Sequence, residues 1–262
     1  MVSFCQGVQQ EGITIVQRLK FKDMTYIILS AGKGVKLQPL TLNHPKSLYK
    51  LDDNTTILQR LVRMIRWYDA AAEIIVVVGY MYKQIQRELE DDNVTFVHNP
   101  FYSVTGSMGS LWFAKHYLQR ENLTIINGDM VMSDKLMANV ICAHTDVPYV
   151  LLDSTQTGGN KYNVQVQDDK VCVMSKNLTE FLGNYASVTK LDAVSSRFVL
   201  EQLDQMVYEG MYNLFFEDAL VQMVFDKNFE LYYKDIRDYR WTEVDNVDDL
   251  LKARQIQVES EK

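Results

Sequence analysis

Gly32, Gly34, Lys36 and Lys46 are the residues whose types and spacing point most directly to chemistry. They follow a short apolar run, Tyr26 to Leu29, that reads as a buried strand. Glycines placed directly after a strand let the backbone turn sharply and aim successive N–H groups at an anion, and the nearby lysines add positive charge. The stretch is a cradle for phosphate. It lacks the Gly-Lys-Ser/Thr ending of a P-loop and the third glycine of a dinucleotide fingerprint. A second set is acidic. Asp129 stands just after the apolar segment Thr124 to Ile126, where α/β sheets place ligands. Much later, Thr242-Glu243-Val244-Asp245 turns Glu243 and Asp245 to the same side if the segment is extended. One carboxylate from each half of the chain, completed by ligand oxygens, suits Mg²⁺, which keeps waters and takes few protein ligands.

These groups need a frame to hold them. Ile57, Leu58, Leu61, Val62, Ile65 and Tyr68 recur at helical spacing. Glu73 to Tyr80 is rich in β-branched residues and reads as a buried strand ending near Gly79. Tyr82 to Leu89 reads as a helix, Val94 to His98 as a strand, Leu111 to Leu118 as a helix opened by Gly106 to Ser110, and Leu123 to Ile126 as a strand. That alternation predicts an α/β fold whose mostly parallel sheet carries helices on both faces. In the second half, Tyr149 to Leu152, Asn163 to Gln167, Lys170 to Met174, Ser187 to Leu191 and Phe229 to Tyr233 read as strands, with a hairpin turn at Asp168-Asp169. Phe198 to Tyr208, Phe216 to Phe225 and Val247 to Gln255 read as helices.

The 262 residues, 47% hydrophobic and 23% charged, fit one soluble domain with a sizeable core. A net charge of −7 speaks against a nucleic-acid binder. Cys5, Cys142 and Cys172 lie far apart and offer neither a disulfide framework nor a zinc site, which fits a reducing, cytoplasmic setting. No apolar run has transmembrane length. His44, His98, His116 and His144 show no ligand spacing and no triad.

Gly32-Lys33-Gly34-Val35-Lys36-Leu37-Gln38-Pro39-Leu40-Thr41 with Pro45-Lys46 resembles the signature of nucleotidylyltransferases that couple an NTP to a phosphorylated small molecule. That signature reads Gly-x-Gly-x-Arg-Leu-x-Pro-x-Thr, then Pro-Lys; Lys36 keeps the charge of the usual arginine without its bidentate fork. Gly79-Tyr80, Asn99-Pro100, Thr105 to Leu111, Asp129, Glu217-Asp218 and Glu243 to Leu250 resemble stretches of bacterial CTP:phosphocholine cytidylyltransferases. Ser175-Lys176-Asn177 and Asn184-Tyr185-Ala186 resemble the acceptor region of sugar-1-phosphate nucleotidylyltransferases. The likeness covers about Tyr26 to Ala253 and implies a Rossmann-like nucleotidyltransferase fold over residues 24–262, with residues 1–23 an N-terminal extension.

By that resemblance Lys36, Lys46 and Asp129 are catalytic. Leu29, Ala31, Gly32, Gly34, Gly79, Tyr80 and Ser110 meet the nucleotide, Gly79 and Tyr80 beside the base. Lys176, Tyr185 and Glu217 meet the acceptor, Lys176 at its phosphate, and Asp129, Glu243 and Asp245 hold Mg²⁺. Aromatics including Tyr162, Tyr185, Phe215, Phe216, Tyr239 and Trp241 are candidates for a cation–π box around a quaternary ammonium. Where relatives carry Asn-Asn and an aromatic, this chain has Gly106-Ser107-Met108-Gly109, which predicts room for a bulkier acceptor. The implied partners are an NTP, CTP first, and a phosphocholine-like acceptor, with neither nucleic acid nor membrane, in a monomer or small homo-oligomer. A sugar-phosphate nucleotidylyltransferase is the alternative. A non-catalytic, nucleotide-binding regulatory subunit is a further one, against which the intact Lys46, Asp129 and Asp245 speak. A dinucleotide-dependent oxidoreductase is weaker still.

Overall fold

The computed structural model describes residues 24–156 and 161–260, so the extension expected over residues 1–23 lies outside the described residues. Strand β1 (Thr25–Ser30) pairs in parallel with β2 (Glu73–Val78) on one side and with β4 (Asn122–Asn127) on the other. β3 (Thr95–His98) extends the sheet beyond β2, again in parallel. The chain therefore runs outward from β1 through β2 to β3 and then crosses back to β4. That reversal opens a crevice beyond the carboxyl ends of β1 and β4, the place where open α/β sheets bind ligands.

The alternation of side chains along each strand explains why both faces are covered. Tyr26, Ile28, Ile74, Val76 and Val78 pack with α1 (Ile57–Tyr68) and α2 (Tyr82–Glu88). Ile27, Ile75 and Val77 face the other way and pack with α3 (Ser107–Phe113) and the later helices α5 (Ala193–Tyr208) and α6 (Phe216–Lys227). Each fully buried aliphatic side chain contributes about 1.5–3 kcal/mol. α1 starts at a capping box in which Thr56 and Gln59 exchange hydrogen bonds, and it buries Ile57, Leu58, Leu61, Val62 and Ile65. Tyr68, assigned to the same face from its spacing, is instead exposed at the helix end.

In the second half the sheet becomes mixed, antiparallel except where β10 runs parallel to β6. β9 (Gly183–Asp192) lies between β4 and β6 (Tyr149–Asp153), antiparallel to both, and β10 (Tyr232–Asp235), β8 (Lys170–Ser175) and β7 (Asn163–Gln167) follow. Asp168 and Asp169 both have positive φ, the conformation of a type I′ hairpin turn between β7 and β8. The helix expected at Leu111 to Leu118 begins at Ser107 and ends at Phe113. There the Ala114 N–H bonds back to Leu111 and tightens the chain into a 3₁₀ turn over Lys115–Gln119.

A two-stranded ribbon missing from the sequence reading completes the frame. β5 (Met130–Met132), which leads into the single-turn helix α4 (Asp134–Leu136), pairs antiparallel with β11 (Trp241–Glu243), with Glu243 opposite Met130. α7 (Val247–Ser260) clamps it: Leu250, Ala253 and Ile256 pack with Val131, Val244, Ile57 and Leu37. One small core thus joins the ribbon to the turn after the glycine loop. Among the described residues no helix is long and apolar enough to cross a membrane.

Candidate active site

The crevice at the β1/β4 boundary is a cleft of about 540 Å³. One wall is the glycine loop. Gly34 sits in the left-handed region at φ 62° and starts a 3₁₀ turn over Val35–Leu37; a Cβ there would come within 3.1 Å of Lys46 and Thr41 side-chain atoms. Gly34 is thus needed for its conformation and for packing. Around Gly32 there is only open space, so its bare backbone faces the cleft. Thr41 Oγ1 donates to the Gly34 carbonyl at 2.8 Å, and Ser30 Oγ donates to Ser47 Oγ at 2.7 Å, tying the turn that carries Lys46 to the end of β1.

A second wall is acidic. Asp129 stands two residues past the end of β4, and the Val244 N–H bonds its carbonyl at 3.1 Å, so the β5–β11 ribbon fixes where the two acidic segments meet. Lys46 Nζ lies between Asp129, which it touches, and Asp245 Oδ1 at 3.1 Å. Lys36 Nζ takes the other oxygen, Asp245 Oδ2, at 2.9 Å. Burial raises the pKa of Asp129, with Lys46 opposing and Glu243 adding to the rise. Burial pulls Lys46 down, but Asp129 and Asp245 more than reverse it, so the ammonium stays charged. Burial raises Asp245 as well, yet Lys46 and Lys36 outweigh it and leave the carboxyl below its ordinary value.

This donor set fits a divalent cation of the Mg²⁺ type. Asp129 Oδ1 is buried with no hydrogen-bond partner among the described residues, and the Lys46 ammonium marks a point between two carboxylates where positive charge is favoured. Among the described residues no group of three or more histidines, cysteines or carboxylates is placed to hold an ion. Glu243 differs from the two aspartates. Its Oε1 accepts from Asn127 Nδ2 at 3.0 Å and Ser187 Oγ at 2.9 Å, and its Oε2 pairs with Lys161 at 3.3 Å.

Another part of the cleft lining is aromatic and acidic. Tyr162 and Phe215 meet edge to face, ring centroids 6.1 Å apart. Asp218, at the start of α6, holds both: Oδ1 accepts from the Tyr162 hydroxyl at 2.7 Å and Oδ2 from the Phe215 N–H at 2.9 Å. The Lys176 ammonium stands 4.0 Å from the Phe215 centroid and 5.3 Å from that of Tyr162. Behind them Glu217 is buried, one oxygen without a partner among the described residues. Burial pushes its pKa up to about 8, with Glu243 and Asp218 adding to the rise and Lys176 opposing it. Tyr185 is also buried and hydrogen-bonds Thr189 Oγ1 at 2.9 Å.

The cleft brings together Leu29, Ala31, Gly32, Gly34, Lys36, Lys46, Ser110, Asp129, Lys176, Tyr185, Glu217, Glu243 and Asp245, all but two of the residues that the family resemblance implies for catalysis, nucleotide, acceptor and metal. Gly79 and Tyr80 stand behind the loop instead. A Cβ at Gly79 would lie 2.6 Å from Tyr102 and 2.8 Å from the Ala31 carbonyl. The Tyr80 hydroxyl reaches the Thr41 and Leu42 carbonyls at 2.9 and 2.7 Å, bracing the loop from outside. Of the aromatic candidates, Tyr162, Phe215 and Tyr185 line the cleft, whereas Phe216, Tyr239 and Trp241 are not among its lining residues.

Gly106 and Gly109 give no extra room to an acceptor, and that expectation is corrected. A Cβ at Gly106 would meet the Leu214 carbonyl at 2.0 Å, and one at Gly109 would meet Thr105 at 2.6 Å and the Tyr212 carbonyl at 2.9 Å. The glycines let the segment before Phe215 lie against the start of α3, where Gly106 and Met108 N–H groups bond Tyr212 and Leu214 carbonyls. Sequence reading missed Lys161, Asn127 and Ser187. Only Ser187 is unusual in backbone, with φ 54° where β9 leaves β4, and no residue type announced that bend.

A family model described as the MobA-like NTP transferase domain matches residues 26–201. Among relatives, the chain is 28% identical over 146 residues to the choline-phosphate cytidylyltransferase of Streptococcus pneumoniae, covering 54% of this chain and 62% of that protein. It is 26% identical over 163 residues to the catalytic subunit beta of mannose-1-phosphate guanylyltransferase from Drosophila melanogaster, covering 59% of this chain and 42% of that protein. The chain thus spans less than two thirds of either. Among solved structures, the CTP:phosphocholine cytidylyltransferase of Streptococcus pneumoniae superposes with a TM-score of 0.74 at 20% identity, over 90% of this chain and 99% of that one. The inositol-1-phosphate CTP transferase of T. maritima gives 0.76 at 16% identity, over 92% and 97%. At those identities the structures establish a shared Rossmann-like α/β fold.

Proposed function

Because the chain belongs to the family of MobA-like NTP transferase domains, we propose that it joins an NTP, CTP in first place, to a phosphocholine-like acceptor and releases pyrophosphate. The observation that carries this reading is the make-up of the cleft lining. It combines bare glycine amides with Lys36 and Lys46, and an aromatic pair with a buried glutamic acid around a cation. An acceptor with a phosphate and an ammonium group complements both sets.

Gly32 and Gly34 amides face the β- and γ-phosphates, and Lys36 neutralises the same charge. Lys46 meets the α-phosphoryl group and the departing pyrophosphate. An oxygen of the acceptor phosphate attacks the α-phosphorus in line, and the bond to the bridging oxygen of pyrophosphate breaks. Positioning and charge stabilisation carry such a step, with little covalent work for the protein. Asp129 and Asp245 would hold Mg²⁺, which supplies positive charge to the phosphate oxygens when bound.

The position of Lys176 favours a second reading. Its ammonium already occupies the aromatic pair; turned toward a phosphate, it would serve a sugar-phosphate acceptor instead. The deciding experiment pairs four NTPs with a panel of phosphorylated acceptors and follows pyrophosphate. Phosphocholine or phosphoethanolamine with CTP is expected to lead. A sugar phosphate faster by ten-fold, about 1.4 kcal/mol of discrimination, would replace the first reading with the second.

A further inference from the structure

Lys161 is the cation in the cleft that neither the glycine loop nor the acceptor motif contains. Its ammonium is held from two sides by one strand: Glu243 Oε2 lies 3.3 Å away and the Trp241 ring centroid 4.9 Å away. Trp241 and Glu243 are two apart on β11 and so share a face. Both holders are themselves held. The Trp241 indole N–H donates to Asp153 Oδ2 at 2.8 Å, and Glu243 Oε1 is taken by Asn127 and Ser187. An ammonium has three donors and Glu243 engages one, which leaves hydrogens for oxygens of a ligand. The Lys161 side chain is 22% exposed and lines the cleft. It neighbours Tyr162 of the aromatic pair in sequence and the acidic wall in space.

We propose that Lys161 binds the acceptor's phosphate and that Glu243 is the residue that positions it, not a ligand of the divalent ion. The contrast between carboxylates carries this. Asp129 keeps an unpartnered buried oxygen, as a ligand awaiting a cation does. Both oxygens of Asp245 carry lysine ammoniums, Lys46 on one and Lys36 on the other, so positive charge is favoured at each. Glu243 Oε1 is instead taken by the neutral donors of Asn127 and Ser187, and its single cation is Lys161, next in the chain to Tyr162 of the aromatic pair. A phosphate monoester carries up to two negative charges to the point of attack, and a fixed ammonium orients it there. The inference rests on the transfer reading but not on the choice of acceptor.

The test uses Lys161→Met, Lys161→Arg, Glu243→Gln and the Lys161→Met/Glu243→Gln double variant. Binding of phosphocholine and of glucose 1-phosphate is measured by calorimetry with the α,β-methylene analogue of the nucleotide that the wild type uses. Mn²⁺ binding is followed separately by electron paramagnetic resonance, and melting curves check folding. Lys161→Met and Glu243→Gln are each expected to weaken acceptor binding about ten-fold or more and to leave Mn²⁺ affinity within about two-fold. The double variant should be no worse than Lys161→Met, because both act through one contact, and Lys161→Arg should keep most of the binding. Weaker Mn²⁺ binding in Glu243→Gln with acceptor binding intact would make Glu243 a metal ligand and overturn the proposal. So would wild-type acceptor binding by Lys161→Met, or additive losses in the double variant. If the wild type transfers no nucleotide in the screen and binds neither acceptor, the transfer reading falls and takes this proposal with it. An active wild type beside an indifferent Lys161→Met overturns this proposal alone.

Discussion

Replacing Glu217 by glutamine should flatten the pH dependence of stability, and the direction follows from where the carboxyl sits. Glu217 lines the cleft yet is only 5% exposed, and burial pushes its pKa up to about 8 from the ordinary glutamate value of 4.5. Between those two values the folded protein keeps a proton that the unfolded chain has lost. Stability therefore falls as pH rises through that window, by up to about 1.4 kcal/mol per pH unit. Across the whole window the loss is at most roughly 5 kcal/mol. Glutamine has nearly the same shape and does not titrate, so this part of the slope disappears. The variant carries its own constant cost if the amide lacks a partner, so the slope is the informative quantity and not the level. Urea unfolding of both proteins from pH 5 to 8.5 measures it. The wild type should lose at least about 2 kcal/mol more than the variant over that range, or roughly 4–8 °C in Tm for a domain of this size. Parallel curves would show that Glu217 ionises normally, and the buried-acid account of the aromatic lining would be wrong.

The lysines of the glycine loop should separate kinetically. Lys36→Ala, which removes one exposed partner of Asp245, should mainly raise the KM for nucleotide, whereas Lys46→Ala, which removes the ammonium shared by Asp129 and Asp245, should mainly lower kcat; small and equal effects would make the loop structural. Gly106→Ala should destabilise by about 1–3 kcal/mol in thermal melts, because its Cβ must push the Leu214 carbonyl away from 2.0 Å. The same shift displaces Phe215, so the KM for acceptor should rise while that for nucleotide stays close to wild type.

The parallel half of the fold was legible because its strands are buried on both faces and read as unbroken apolar runs, as in Ile74 to Val78, between helices with a clear 3.6 period. The glycine turn was legible because two glycines directly after an apolar strand announce a sharp turn at its end. The β5–β11 ribbon was not. Three-residue strands such as Trp241–Glu243 are too short to show a period, and their pairing depends on contacts more than 100 residues apart. Lys161 was hidden for a similar reason. An isolated lysine before a tyrosine looks like any surface residue until β11 places an acid and an indole beside it. The glycines of α3 misled in the opposite sense. A missing side chain looks like free space in a sequence, whereas here the backbone of residues 212–214 fills it.

The distance along the chain between Lys46 and Asp245, 199 residues, also sets an order in time. During synthesis that contact cannot form until the segment carrying Asp245 has been made. On a ribosome adding about 5–20 residues per second, roughly 10 to 40 seconds separate the two ends of that contact. Through that interval Lys46 has been made, while Asp245 does not yet exist. A nascent chain thus carries its glycine turn and Lys46 well before one of the carboxylates that holds this lysine.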